Sequence, residues 1–213
     1  IAYKKDTLCR ACRLGMPSHC QTRTVTGIID HPGAFAEEVL VAAGTLHKIP
    51  ANLDPLTAAL AEPLAAALQT FQMTPVQGDE TVVVLGPGRL GILIIFVAVL
   101  RGLNVMAVSQ SEKKRQRALT FGAASACSPD EAEDIVKQQT EGLGADLVVD
   151  ATGNPDGLRL AQKLTRPRGT LSVKTTCGLP ATDFDITKMV VDEIRLQGSR
   201  CGPFAPALEI LQK

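Results

Sequence analysis

The segment Thr81-Val82-Val83-Val84-Leu85 runs without interruption into Gly86-Pro87-Gly88-Arg89-Leu90-Gly91 and on into an apolar stretch ending at Leu100. A β-branched run bounded by glycine reads as a strand, and the longer stretch behind it reads as a helix. A strand entering a helix through this glycine spacing constrains the chain strongly, because each glycine answers a separate steric demand. Gly86 permits the tight turn, Gly88 lets another molecule approach the backbone, and Gly91 lets the helix pack closely on the strand. The spacing alone is weak, since a Gly-rich turn with no ligand shows it too. Its setting between a strand and a helix gives it weight.

The alternation continues. Val105 to Val108 reads as a second strand and Glu112 to Phe121 as its helix; Ala124 to Cys127 is a weak third strand, followed by an acidic helix from Asp130 to Gln139. Asp146 to Asp150, Thr170 to Lys174 and Ile194 to Gly198 follow as strands, with a helix at Pro155 to Leu164. These strands are continuous apolar runs rather than alternating ones, so they belong in a sheet buried on both faces. The order predicts an α/β, doubly wound parallel sheet of the Rossmann type, spanning about Gly78 to Ser199 and assigned to a domain of residues 56–213. Such a turn cradles the pyrophosphate of a dinucleotide, whose charge suits the free N–H groups of a helix N-terminus. Gly86, Gly88, Arg89, Leu90 and Gly91 are therefore candidate cofactor contacts, with Thr152 and Gly153 after the fourth strand.

The end of the second strand bears on which dinucleotide. An acid there accepts hydrogen bonds from the ribose hydroxyls of NAD. This chain has Ser109, 21 residues after Gly88, followed by Gln110-Ser111-Glu112-Lys113-Lys114-Arg115. A hydroxyl does not repel a 2′-phosphate, and Lys113, Lys114 or Arg115 can pair with one. The balance favours NADP. As the solvated first turn of a helix the same cations fit NAD as well, and Glu112 weighs against the phosphate.

Before residue 55 the character differs. Short strand-like pieces lie at Val25 to Ile29, Ala36 to Val41 and His47 to Ile49, and Pro55 opens an Ala- and Leu-rich helix read over Leu56 to Phe71. Three of the six cysteines crowd the first twenty residues as Cys9-x2-Cys12-x7-Cys20, with Asp6 three positions earlier. Thiolates so spaced can share one tetrahedral zinc if a fourth ligand lies nearby; Asp6 and His19 are rivals for that place. The competing reading is three reduced cysteines on a loop whose metal site has decayed. Clustered rather than paired cysteines favour a reducing, cytoplasmic setting.

Composition excludes other classes. Twenty-two basic and 22 acidic side chains cancel, leaving no basic footprint for nucleic acid or an anionic membrane. The run Ile92 to Leu100 is far short of the ~20 residues that span a bilayer. Aromatic residues make up only 3%, so the core must rest on Val, Ile, Leu and Ala.

Taken together the chain resembles the zinc-containing medium-chain alcohol dehydrogenases, nearest their sorbitol and threonine dehydrogenase branch. The resemblance is carried by Cys9-x2-Cys12-x2-Gly15-x4-Cys20, Gly33-Ala34-Phe35-Ala36-Glu37, Ala61-Glu62-Pro63-Leu64-Ala65, the Gly86-x-Gly88-x2-Gly91 turn, and Gly142-x-Gly144-Ala145-Asp146 through Ala151-Thr152-Gly153. It covers essentially the whole chain, in order. It implies that residues 1–55 are part of a β-rich GroES-like catalytic domain carrying the zinc loop. The family's loop has four cysteines; here Asp6 stands in the first place. Glu62 matches the acidic residue of the E-P-L motif at the catalytic metal, as a ligand or through its water, although a carboxylate at a helix start is also explained by the helix dipole.

The resemblance implies a zinc-dependent, NAD(P)-linked enzyme that moves hydride between an alcohol or polyol and the nicotinamide. The family's remaining catalytic zinc ligands, a Cys and a Gly-His-Glu segment, have no match; His19, His31 and His47 stand in the wrong places. The chain therefore reads as the middle of a longer enzyme, inactive as it stands. Homo-oligomers are usual in the family, and Ile194 to Gly198 is the candidate edge. Lys174, at the end of a strand, reaches a phosphate or substrate on one reading and snorkels to the surface on the more ordinary one. Two rival functions are a zinc-independent quinone oxidoreductase and a non-catalytic dinucleotide-binding module.

Overall fold

The computed structural model describes residues 9–174 and 176–213. Contacts divide the chain into two compact units, residues 1–49 and 50–213. In the first, the described elements are a short helix α1 (Arg10–Arg13), 3₁₀ turns at Pro17–His19 and Ala43–Thr45, and one isolated bridge between Val25 and Ile29. The expected strands at Ala36 to Val41 and His47 to Ile49 do not form. A strand exists only through the ladder it makes with a neighbour, and Leu40 and Phe35 stand almost fully exposed.

The second unit opens with α2 (Pro55–Ala58) and α3 (Ala61–Met73) where a single helix was expected. Pro63 explains the division. It has no N–H to give the Ala59 carbonyl, so the ladder of α2 cannot run on. Helix α3 restarts with the Leu64 N–H on the Leu60 carbonyl, at 3.0 Å.

Then come β1 (Thr81–Leu85), α4 (Arg89–Leu100), β2 (Asn104–Val108), α5 (Glu112–Thr120), β3 (Ser125–Cys127), α6 (Pro129–Gln139), β4 (Ala145–Asp150) and α7 (Pro155–Leu164). The chain closes with β5 (Thr165–Val173), α8 (Ile186–Val191), β6 (Arg195–Gly198) and α9 (Phe204–Leu211). All six strands are parallel, in the order β3-β2-β1-β4-β5-β6. This is the predicted doubly wound sheet. The central strands β1, β2 and β4 are buried on both faces, which is why they carry no polar alternation. Val82 and Val84 of β1 face the layer of α3 and α4, with Leu64, Leu68, Ile94 and Ile95; Val83 and Leu85 face that of α6 and α7, with Val136 and Leu164.

Sequence reading missed three helices and one strand start. The β-branched run in α8 looks like a strand, but Asp185 accepts the Lys188 N–H at 2.9 Å and caps a helix instead. Phe204, Ala207, Leu208 and Leu211 in α9 have helical spacing and pack into the core. Strand β5 begins five residues early, across a register shift against β4 and through Arg168 at φ +59°. The helix α1 is one short turn whose N-cap is Cys9.

One ion pair ties the sheet's amino edge. Asp146 accepts the Thr81 N–H at 2.7 Å and the Arg166 Nε–H at 2.6 Å, with both side chains largely buried. Asp146→Ala leaves two donors without their acceptor. It is expected to cost about 2 kcal/mol, read as a lower denaturant midpoint with an unchanged slope.

Among the described residues, no helix is long and apolar enough to cross a membrane.

Candidate functional site

Strand β1 leads to β2 on one side of the sheet, and β4 leads to β5 on the other. A crevice opens at the carboxyl ends where these connections diverge. Here it is a cleft of about 420 Å³, lined by Gly86, Gly88, Ser109, Lys114, Thr152 and Asn154 among others.

The three glycines shape its floor. Gly86 has φ +77°, and a Cβ there would lie 2.9 Å from the Ala151 carbonyl oxygen and from the Thr152 Cα. Gly91 is tighter: its Cβ would fall 2.2 Å from the Gly86 oxygen. Gly88 is open, with its nearest atom 3.9 Å away, so the space above it belongs to the cleft. Gly88 is also the N-cap of α4 and has no side chain to cap it. The first N–H groups of a twelve-residue helix, including those of Arg89 and Leu90, are thus left for a ligand. The Arg89 side chain is exposed and Leu90 packs against the core; neither side chain, nor Gly91, lines the cleft.

At the far side Ser109 directly follows β2. Its N–H donates to the Cys127 carbonyl at 3.0 Å, and its hydroxyl accepts the Ser111 N–H at 3.2 Å. Lys114 lines the cleft and Lys113 does not; neither makes an ion pair among the described residues. Arg115 is committed elsewhere. Its guanidinium donates to the carbonyls of Ser109 (2.7 Å) and Gln110 (3.1 Å) and pairs with Glu112. Hydrogen bonds from Gln116 and Arg115 hold the Glu112 carboxyl below its usual range.

Beyond β4 the turn is built on Asp150, which the sequence reading did not single out. This nearly buried carboxylate accepts the Thr152 N–H at 3.0 Å and the Thr152 hydroxyl at 2.7 Å. Asn154 then accepts the Gly157 N–H at 2.8 Å and caps α7. A Cβ on Gly157 would strike the Thr152 hydroxyl at 1.9 Å, so this glycine lets α7 begin so close to Thr152. An acid closing an apolar strand was the available signal. Gly153 lies off the main cleft, beside a smaller hollow of about 200 Å³ with Asp150, Val173 and Cys177.

Lys174 neither snorkels nor faces the cleft. Its ammonium turns inward onto the carbonyl of Ala66 in α3 (2.8 Å) and onto Ser199, hydroxyl at 2.8 Å and carbonyl at 3.3 Å. Burial lowers its pKa to about 8, with Cys201 acting the other way. Thr175, the next residue, lies outside the described residues. Glu62 is exposed on the first turn of α3.

In the first unit, the sulfurs of Cys9, Cys12 and Cys20 lie within 4.8 Å of one another, with Cys9 to Cys20 at 3.9 Å. Cys20 is fully buried. Desolvation and the neighbouring thiols push Cys12 up to about 12. Tetrahedral thiolates at about 2.3 Å from zinc sit roughly 3.8 Å apart, close to the Cys9–Cys20 separation. His19 is not in the group; its ring meets the Ser18 hydroxyl. Asp6 lies outside the described residues.

Comparison with known proteins bears on the same cleft. Residues 90–213 match the family described as zinc-binding dehydrogenase. A sorbitol dehydrogenase of Halalkalibacterium halodurans is 29% identical over 212 residues, 96% of this chain and 62% of that protein. An L-threonine 3-dehydrogenase of Pyrococcus furiosus is 36% identical over 169 residues, 78% of this chain and 48% of that protein. The chain thus spans from about half to three fifths of these relatives. A solved structure from Sinorhizobium meliloti, assigned as a zinc-binding dehydrogenase and bound to NADP, superposes with a TM-score of 0.84 at 27% identity, covering 97% of this chain and 62% of that one.

Proposed function

The chain belongs to the zinc-binding dehydrogenase family, and from that premise we propose that its cleft holds NADP for hydride exchange with a small alcohol or polyol. The observation that carries this reading is the β1–α4 turn. Gly86 and Gly91 have no room for a side chain, Gly88 opens into the cleft, and the start of α4 is uncapped. Backbone N–H groups at Arg89 and Leu90 would take the pyrophosphate, aided by the helix dipole, while the Gly88 N–H stays on the Gly86 carbonyl at 2.7 Å. Thr152, held by Asp150, and Gly153 would floor the path toward the nicotinamide. When bound, the nicotinamide supplies the hydride acceptor or donor; the protein's share is orientation and electrostatics.

The preference for NADP over NAD rests on Ser109 and Lys114. No carboxylate ends β2, and the Lys114 ammonium lines the cleft without an ion-pair partner among the described residues. The NADP found in the S. meliloti protein supports the same choice. Arg115 would contribute only by leaving Glu112.

Residues 1–55 are proposed as part of a GroES-like catalytic domain, and 56–213 as the cofactor domain. Cys9, Cys12 and Cys20 would hold a zinc of structural kind, with Asp6 as fourth ligand. Glu62 is proposed to stand at a catalytic metal, as a ligand or through its water. It belongs to no metal-capable group among the described residues, so these residues are expected to bind cofactor without oxidising alcohol. A cytoplasmic location and self-association through β6 belong to the same reading. The cysteine cluster favours this reading over a zinc-independent quinone oxidoreductase.

Fluorescence titration with NADPH and NADH tests it. NADPH is expected to bind more tightly. Lys114→Ala is expected to weaken NADPH about tenfold, the size of one charge-assisted contact, and to leave NADH unchanged. Equal losses for both cofactors would refute the 2′-phosphate role, and no binding of either would refute the cofactor site.

A further inference from the structure

We propose that Lys174 is a positioning residue for the nicotinamide end of the cofactor, acting through the Ser199 loop and α3. The inference rests on the dinucleotide reading and adds a residue to it. With the pyrophosphate at the β1–α4 turn and the adenosine end toward Ser109, the other half must run over the carboxyl ends of β4, β5 and β6. Those ends lie level. Asp150 pairs with Val173, and Val173 with Gly198. The next residues out are therefore Ala151, Lys174 and Ser199. The backbone knits them together, with the Lys174 N–H on the Asp150 carbonyl at 2.9 Å and the Ser199 N–H on the Val173 carbonyl at 3.4 Å.

The side chain of Lys174 adds a connection that no strand pairing supplies. Its ammonium has three hydrogens and meets three acceptors: the Ala66 carbonyl, the Ser199 carbonyl and the Ser199 hydroxyl. Ala66 lies in α3, and Ser199 begins the loop that leaves β6. A second observation shows how closely that loop lies on α3: a Cβ on Gly202 would fall 1.8 Å from the Ala65 carbonyl oxygen. Cys201 between them is held at φ +57°. Lysine and glycine thus seat residues 199–202 on adjacent carbonyls of one helix turn.

Packing alone does not call for a lysine here. A methionine fills similar space without desolvating a charge. What methionine cannot do is fix the Ser199 carbonyl and hydroxyl at a set distance from Ala66. A floor under the nicotinamide needs that kind of definition, since small displacements of positioning groups are costly.

The test compares two ligands that differ only in the nicotinamide: NADPH and 2′-phospho-ADP-ribose, titrated by calorimetry against the whole chain. Lys174→Met is expected to weaken NADPH about tenfold and to leave 2′-phospho-ADP-ribose unchanged. Ser199→Ala removes one acceptor and is expected to give the same pattern with a smaller loss, and it serves if the methionine variant fails to fold. Equal weakening of both ligands would mean that the lysine only holds the fold together, and weakening of neither would mean that it positions nothing; either overturns the proposal while the cofactor reading stands. If the unaltered chain binds neither ligand, the cofactor reading falls and takes this proposal with it.

Discussion

Gly91→Ala is expected to abolish NADPH binding and to lower the stability of the cofactor domain. The added methyl would lie 2.2 Å from the Gly86 oxygen and 3.0 Å from its carbon. Both are backbone atoms of the turn, so no side chain can swing aside. Either α4 recedes or the turn opens. Receding is costly because Ile94 and Ile95 on that helix are fully buried against the sheet. Overpacking of this kind costs about 1–3 kcal/mol or more, and a displaced turn no longer aims its N–H groups at the cleft. A loss of at least about 100-fold in affinity corresponds to roughly 2.7 kcal/mol.

Gly88→Ala separates folding from binding. Its methyl meets nothing closer than 3.9 Å, and its φ of −81° suits any residue. The melting temperature should therefore hold while NADPH affinity falls, since the methyl enters the space left for the pyrophosphate. A Gly88→Ala protein that binds NADPH as tightly as the parent would sink the proposed cradle.

The second large effect is expected at the thiol cluster. The purified chain should carry one zinc, and chelation should loosen the backbone around Cys9 to Cys20 while the sheet of residues 50–213 keeps its unfolding transition. The expectation follows from three sulfurs already within 4.8 Å of one another, and from the roughly 10–16 kcal/mol that structural zinc contributes in small zinc-folded peptides. Cys12→Ser should remove the metal outright. Asp6→Ala should weaken binding but leave three thiolates to retain some zinc. Elemental analysis with amide exchange reads both. A chain that carries no zinc when purified without chelator, or a Cys12→Ser variant that retains it, would return the cluster to three reduced cysteines.

The parts legible in the chain are those governed by neighbours in sequence. The strand from Thr81 to Leu85, the glycine turn and the start of α4 follow from local sterics, which act over three or four residues. The parallel sheet follows from apolar strands without alternation, because burial on both faces leaves that mark on each strand separately. Cys9, Cys12 and Cys20 could be grouped because one short loop carries all three.

What remained hidden depends on burial and on which partner each side chain takes, some near in the chain and some far. Arg115 reads as a phosphate ligand until Glu112 and the carbonyls of Ser109 and Gln110 are seen to hold it. Ala36 to Val41 has strand-like residues, but a ladder needs a neighbour that propensity cannot provide. Asp150 looks like the polar end of a strand, and only the fold makes it a buried anchor for Thr152. Lys174 is the furthest case. By itself it reads as a lysine that escapes to water, yet its three acceptors come from Ala66, 108 residues earlier, and from Ser199, 25 residues later. Its direction was set by the register of three strands and the seat of one helix, because a half-buried ammonium goes where acceptors are, and tertiary packing alone puts them there.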